Sequence, residues 1–213
     1  MVNMDNKILI HDLLRKRWSP KSYSSRPVEP EKLAAVLEAA RWAPSSFNEQ
    51  PWAFLVAPKD DAPTYQTLLH CLSERNQRWA QQAPVLILSV AHLYHNDTEM
   101  ENRYAFHDVG LAVAQLTLQA TALGLHVRQM AGFDADHARS AFDIPEDHQP
   151  VSVIALGYFA DDEHSRADSS KTHQPTRVRK PMASFVFRER WNVPFVEAKQ
   201  VEHPEWIVES NEW

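Results

Sequence analysis

Apolar residues recur at helical spacing in several segments of the chain. After Pro30, which suits the first turn of a helix, the residues Leu33, Val36 and Ala40 fall on one helical face. This spacing predicts an amphipathic helix that starts at Pro30. A wider apolar stripe runs through residues 101–123 and predicts a long helix buried at the centre of the fold.

Short apolar runs bounded by prolines or polar turns predict buried strands. The predicted strands cover residues 52–56, 85–91, 127–130 and 151–158. Further helices are predicted over residues 8–17, 64–82 and 135–142. Helices and strands therefore mix along the whole chain, and the polar stretch 160–180 predicts an exposed loop.

Composition and net charge argue against several classes of function. The length of 213 residues suits one domain, and 44% hydrophobic with 23% charged residues is typical of a globular protein. The net charge of −6 argues against nucleic acid and anionic membranes as partners. No apolar run approaches the roughly 18 residues that a membrane span requires.

Glycine and cysteine usage excludes several kinds of site. None of the 4 glycines has the spacing of a GxGxxG or GxxxxGK motif, which excludes Rossmann and P-loop phosphate cradles. A phosphorylated ligand would then be held by cationic side chains or helix N-termini. The single Cys71 allows no internal disulfide and no paired-cysteine motif, so the cytoplasm is the expected location.

Two cations and a hydroxyl stand together where the first predicted helix ends. Arg17, Ser19 and Lys21 suit a phosphate group, because charged donors and a hydroxyl can all bind its oxygens. Alternatively, these cations only complement the helix dipole.

A loop that precedes the first predicted strand could present hydrogen-bonding groups rigidly. It carries Ser45, Ser46 and Asn48 between Pro44 and Pro51. The alternative is that these residues only end a helix and begin a strand, as turn formers do.

A basic run stands near the end of the chain. In extended backbone Arg177 and Arg179 point to the same side, with Lys180 next to them. Such a run is often only a solvated face, and that alternative stays open for the segment taken alone.

Together these segments resemble the FMN-dependent nitroreductase family. Residues 44–54 match its Pro-Ser-Ser-x-Asn-x-Gln-Pro-Trp-x-Phe segment at every named position, and residues 17–21 match its Arg-Arg-Ser-x-Arg/Lys segment except at Trp18. Residues 108–125 resemble its central helix, 129–133 its flavin-edge loop, 155–158 its last core strand, and 177–181 its closing basic motif. The resemblance covers roughly residues 8–191.

The resemblance implies an α+β, nitroreductase-like fold. A central, mostly antiparallel mixed sheet would be flanked by helices around a long central helix, in an intertwined homodimer. One nitroreductase-like FMN-binding domain would span residues 1–191, and residues 192–213 would form a C-terminal extension. The extension holds Trp206, Ile207 and Trp213, which need apolar surface on the partner subunit or on their own domain.

The resemblance also implies FMN as the cofactor and NADH or NADPH as the reductant. The phosphate and ribityl chain would be held by two segments distant in sequence, 17–19 and 177–179, and Lys21 would lie near the flavin pyrimidine. Residues 44–48 would reach the flavin bound mainly by the other subunit, and a backbone N–H of 130–132 would face flavin N5. The implied cofactor-binding residues are Arg17, Trp18 (by its backbone), Ser19, Lys21, Pro44, Ser45, Ser46, Asn48, Gln50, Met130, Ala131, Gly132, Arg177 and Arg179.

Four other residues are left out of this implied site. Asn76 and Arg78 stand about one residue out of register with family positions that often reach the flavin. His92 and His95, close to Asp97, are interpreted as exposed polar residues at a strand end, so no metal site is predicted.

The implied activity needs no catalytic side chain, because a flavin carries its own hydride chemistry. NADH or NADPH would reduce the flavin and leave, and a nitroaromatic, quinone or similar electron-poor acceptor would follow in a ping-pong sequence. Two alternatives remain: a related reductase acting on enones or halogenated compounds, and a non-catalytic flavin-binding dimeric scaffold.

Overall fold

The computed structural model describes residues 10–98, 100–160 and 177–195. By their contacts the residues divide into two units, Ile10–Gln174 and a second unit made of Met1–Leu9 with Pro175–Trp213. The predicted division into a domain over 1–191 and an extension over 192–213 stays a proposal. Most of the exposed loop predicted over 160–180, and all but four residues of the extension, lie outside the described residues.

The larger unit is built on a four-stranded sheet. Its strands are β1 (Trp52–Pro58), β2 (Val85–His92), β3 (His126–Met130) and β4 (His148–Gly157), in the spatial order β1-β2-β4-β3. Each neighbouring pair is antiparallel, and no parallel pair of the expected mixed sheet lies within the described ranges. The α+β class with its antiparallel sheet is therefore confirmed.

Six α-helices within the described residues accompany the sheet. They are α1 (Asp12–Lys16), α2 (Pro30–Arg41), α3 (Ala62–Cys71), α4 (Glu74–Ala80), α5 (Ala105–Ala122) and α6 (Ala135–Ala141). α2 starts at Pro30 and buries Val36 and Ala40, as its apolar spacing predicts. α5 is the long buried helix, and it ends before Gly124, whose φ of 76° suits a residue without a Cβ.

Apolar side chains alternate between two cores on the two faces of the sheet. Leu86 and Leu88 of β2 join the core under α3, α4 and α6. Ile87, between them, joins the core under α2 and α5. Because β2 is covered on both faces, its first four residues, 85–88, are all apolar.

Three predicted helices have different bounds in the structure. The segment 64–82 is two helices, because the chain breaks at Leu72 and Ser73, where Leu72 bridges to Phe133. The long helix starts at Ala105 instead of 101, because buried Asn102 donates its backbone N–H to Leu93 over 2.7 Å and its side chain accepts from Tyr104. The first helix covers Asp12–Lys16 of the predicted 8–17.

The described part of the second unit, residues 177–195, is short. It contains a 3-10 turn at Met182–Ser184, and Phe187 forms an antiparallel bridge with Pro194. Among the described residues of both units, no helix combines the length and the apolar character needed to cross a bilayer.

Candidate functional site

The end of α1 forms one wall of a cleft against α5 and β3. α1 ends where the backbone turns extended at Arg17, whose Nη1 donates to the Ser19 hydroxyl over 3.2 Å. The cleft has a volume of about 340 Å³. It is lined by Leu14, Arg17, Ser19, Ala114, Thr117, Leu118, Val127 and Gln129. The cleft is therefore lined by one cation, several neutral hydrogen-bonding groups and several apolar side chains.

Three cations gather beside this cleft, and we call Lys21, Arg75 and Arg128 the cationic cluster. Arg128 projects from β3 and donates to the backbone oxygen of Ser19 over 2.6 Å, which ties the cluster to the cleft. Partial burial lowers the pKa of the Lys21 ammonium, and the positive charges of Arg128 and Arg75 lower it further. Burial also lowers the pKa of the Arg128 guanidinium.

No carboxylate of residues 10–98 or 100–160 lies within ion-pair distance of the cationic cluster. Like charges held together without a counter-charge repel one another, so an anion bound there would be favoured. The cluster is therefore suited to a negatively charged ligand group.

The side chain of Trp18 points into an aromatic cluster. Its ring centroid lies 5.0 Å from that of Phe159 and 5.7 Å from that of His126, both at edge-on angles. These edge-on contacts hold the indole ring among aromatic side chains of the same chain. That Trp18 contributes mainly backbone groups to the cofactor site stays a prediction.

The predicted flavin-edge segment, Met130 to Gly132, leaves β3 and runs against the start of α4. The oxygen of Gly132 accepts from the Ser73 backbone and from Asn76 Nδ2, each over 3.0 Å. A Cβ on Gly132 would lie 2.8 Å from Asn76 Nδ2, so a larger residue there would displace the Asn76 amide. Asn76 thus positions this segment, whereas Arg78 lines a separate cleft on α3 and α4.

The predicted hydrogen-bonding loop between α2 and β1 is anchored at two points. The Ser46 backbone N–H donates to the buried carboxylate of Asp108 over 2.9 Å. The Glu49 carboxylate accepts from the Asn96 backbone over 2.9 Å and lies 3.0 Å from His95 Nδ1. These bonds lower the pKa of Glu49, the Asn96 bond most, so the carboxylate stays charged.

The loop also holds strained backbone. Phe47, Asn48 and Gln50 all have positive φ values, of 53°, 57° and 51°. Non-glycine residues adopt this conformation at a cost, and they keep it only where surrounding bonds fix it. Gln50 is fixed by bonds from its backbone N–H to the Ser45 hydroxyl and from Nε2 to the Asn48 oxygen.

The structure does not bring this loop and the Arg17 cleft together within one chain. The loop is bound by Asp108 and the cleft is lined by Thr117, nine positions further along α5. The cleft residues Ala114, Thr117 and Leu118 follow Asp108 by six to ten positions, which places them about 9 to 15 Å away along the helix axis. The two groups of predicted residues therefore lie at different heights along α5.

Arg177 and Arg179 belong to the second unit, which is described by itself. Arg179 Nη1 donates to the Val178 oxygen over 2.8 Å. Their predicted contact with the phosphate stays a prediction.

Sequence reasoning missed Arg75, Arg128 and Asp108. Two signals were present. Arg128 interrupts a predicted apolar strand, where a charged residue is unusual. Asp108 stands likewise inside the apolar stripe of the predicted long helix. Arg75 gives no such signal, because it lies on a polar helix.

Comparison with known proteins gives a family and several relatives. The family model described as the nitroreductase family matches residues 14–158. A curated relative from Thermus thermophilus, named "NADH dehydrogenase", is 29% identical over an alignment of 178 positions that covers 69% of this chain and 85% of that protein.

Two solved structures are similar over most of their length. One, titled as an oxidoreductase containing FMN, has a TM-score of 0.79 and 29% identity and covers 90% of this chain and 98% of its own. The other, titled as an FMN-dependent nitroreductase from Clostridium difficile R20291, has a TM-score of 0.60 and 26% identity. It covers 78% of this chain and 98% of its own.

Proposed function

We propose, from the premise that this chain belongs to the nitroreductase family, that it is an FMN-dependent oxidoreductase. It would accept hydride from NADH or NADPH and reduce nitroaromatics, quinones or similar electron-poor acceptors in a ping-pong sequence. The names of its relatives, an FMN-containing oxidoreductase and an NADH dehydrogenase, support this choice.

The observation that carries the proposal is the cationic cluster beside the Arg17 cleft. FMN is an anion through its phosphate, and it gains negative charge when reduced. Arg17 and Ser19 would hold the phosphate and ribityl chain, together with Arg177 and Arg179 of the second unit. Lys21 would lie near the flavin pyrimidine, where a fixed cation favours the reduced and negatively charged form.

When bound, FMN supplies the hydride and electron chemistry, so this chain only has to bind, orient and tune it. The segment Met130 to Gly132 is held by Ser73 and Asn76 and can keep a backbone N–H in a fixed place at the flavin edge. Arg128 keeps the Ser19 backbone in position and adds its charge to that of Lys21. With the flavin bound, the apolar residues that line the cleft would exclude water from part of it.

The experiment that tests this function is a spectral titration of the purified protein. Yellow protein should lose its flavin absorbance with NADH or NADPH without oxygen, and should recover it when a quinone or a nitroaromatic is added. Yellow protein that never bleaches would instead support the flavin-binding scaffold. Colourless protein that takes up no FMN would contradict both functions.

The active form would be a homodimer, in which residues 44–48 reach the flavin bound mainly by the partner subunit. The separation of this loop from the Arg17 cleft supports this arrangement, because within one chain they contact parts of α5 about 9 to 15 Å apart along its axis. Large apolar side chains are also exposed, including Phe47 at 88% and Phe106 at 52%. Large aromatic side chains exposed in this way are enriched at subunit interfaces.

The molar mass in solution tests the dimer. Light scattering should give twice the chain mass of 24.5 kDa. A mass of one chain in protein that still binds FMN would contradict the shared site.

A further inference from the structure

Two histidines face each other where β2 ends and β4 begins. His92 pairs with His148 in the β2–β4 register, and the two rings stack with centroids 4.6 Å apart. The register shifts by one residue between Ser89 and Val90. Without that shift His92 would pair with Gln149, and His148 would face the other side of the sheet.

Asp147 completes a group of three potential ligands. One of its oxygens lies 2.7 Å from His148 Nδ1, and the other lies 3.5 Å from His92 Nε2. Each residue offers one donor atom, and these atoms all lie within 4.8 Å of one another. The side chains are 23%, 46% and 28% exposed for His92, Asp147 and His148, so solvent can reach them.

We propose that His92, Asp147 and His148 bind one divalent transition-metal ion, of which Zn²⁺ is the representative probe. Two imidazoles and a carboxylate are ligands that zinc accepts, with a water molecule completing the coordination. Imidazole ligands also favour zinc, copper and nickel over magnesium and calcium, which prefer oxygen.

The distances allow this binding with modest side-chain movements. In tetrahedral coordination two donor atoms about 2.1 Å from one ion lie about 3.4 Å apart. The donor atoms lie within 4.8 Å of one another, so no pair has to close by more than about 1.4 Å, a movement that rotation of these partly exposed side chains provides.

The backbone around the three ligands is already fixed. His92 donates its N–H to the Pro51 oxygen, and Leu93 donates to the oxygen of Asp147, each over 2.8 Å. His95 is not counted as a ligand, because its Nδ1 faces Glu49 at 3.0 Å.

Zinc binding to the full-length chain tests the proposal directly. The tag-free protein is stripped with a chelator and titrated with Zn²⁺ against a chromophoric competitor, and Co²⁺ absorption reports the ligand set. We expect one ion per chain, and at least tenfold weaker binding after His92→Gln, His148→Gln or Asp147→Asn. His137→Gln on α6, an exposed histidine outside the group, should leave the affinity unchanged.

Thermal unfolding with and without Zn²⁺ provides a second readout, which requires no activity and no flavin. The metal should raise the melting temperature of the unsubstituted chain and of the His137 variant, but not that of a folded Asp147→Asn variant. Asp147 precedes β4, so its substitution leaves the strand pairing in place. Equal zinc affinity in all variants, absence of binding at 100 µM Zn²⁺, or equal competition by Mg²⁺ would overturn the proposal.

Discussion

Replacing Lys21 with Glu is expected to weaken FMN binding by roughly tenfold to a hundredfold, which corresponds to about 1.4 to 2.7 kcal/mol. The change removes one cation from the cationic cluster. It also introduces a carboxylate that can pair with Arg128 or Arg75, whose charges act on residue 21. The net positive charge beside the cleft therefore falls by more than one unit, and the cleft attracts an anion less strongly. Titration of the apoprotein with FMN, followed by quenching of flavin fluorescence, measures the effect.

Lys59→Glu is the matched control, because it makes the same charge reversal elsewhere. Lys59 follows β1, the edge strand opposite β3, where it donates to the Gln81 oxygen. Three strand spacings, about 14 Å, separate these two edges of the sheet. Because salt screens the interaction between charges in solvent over this distance, the charge at residue 59 has little effect at the cleft. FMN affinity within twofold of the unsubstituted chain after Lys21→Glu would remove Lys21 from the proposed site. A flavin reduction rate unchanged in flavin-saturated protein would remove its role in stabilising the reduced form.

The fold was predictable where local signals agree. In α2, the proline at the first position, the apolar spacing and the buried Val36 and Ala40 all indicate the same helix. The break between α3 and α4 was not predictable, because it depends on the bridge of Leu72 to Phe133, about sixty positions away. The start of α5 likewise depends on Asn102 binding Leu93, a contact that helical periodicity does not encode.

The candidate site likewise contains some residues that the sequence indicates and others that only the structure reveals. Arg17 and Ser19 are neighbours in a short motif, so the sequence alone indicates them, and the structure brings them to one cleft. Arg128 joins them only through a bond to Ser19 across 109 positions. The histidines of the proposed metal site depend on a strand register that a bulge sets, which no local pattern reveals.

Removing the carboxylate of Asp108 is expected to have the largest effect on the loop between α2 and β1. Asp108 is 1% exposed, and its two oxygens bind the Ser46 backbone N–H and His107 Nδ1 over 2.9 and 2.8 Å. Asp108→Ala leaves the Ser46 donor without its acceptor, at a cost of about 2 to 3 kcal/mol. Thermal unfolding should show a decrease of roughly 5 to 10 °C in melting temperature.

The same substitution should weaken FMN binding in the dimer. The positive φ values of Phe47 and Asn48 need an anchored loop, and without the Asp108 bond the loop relaxes toward ordinary backbone. Residues 44–48 would then no longer be held where the proposed function has them reach the partner's flavin. Flavin titration of the folded variant, below its melting temperature, measures this loss separately from the loss of stability.

Asp108→Asn tests whether the hydrogen-bond acceptor, and not only the volume of the side chain, holds the loop. Its amide oxygen can still accept from the Ser46 N–H, while its NH₂ group can donate to His107 Nδ1 if that nitrogen is unprotonated. We expect this variant to lose less than about 1 kcal/mol and to keep most of its FMN affinity. If Asn and Ala at this position lower the melting temperature and the affinity equally, the acceptor is not what holds the loop. In that case the strained backbone must be fixed by Glu49 and its bonds to the segment around His95.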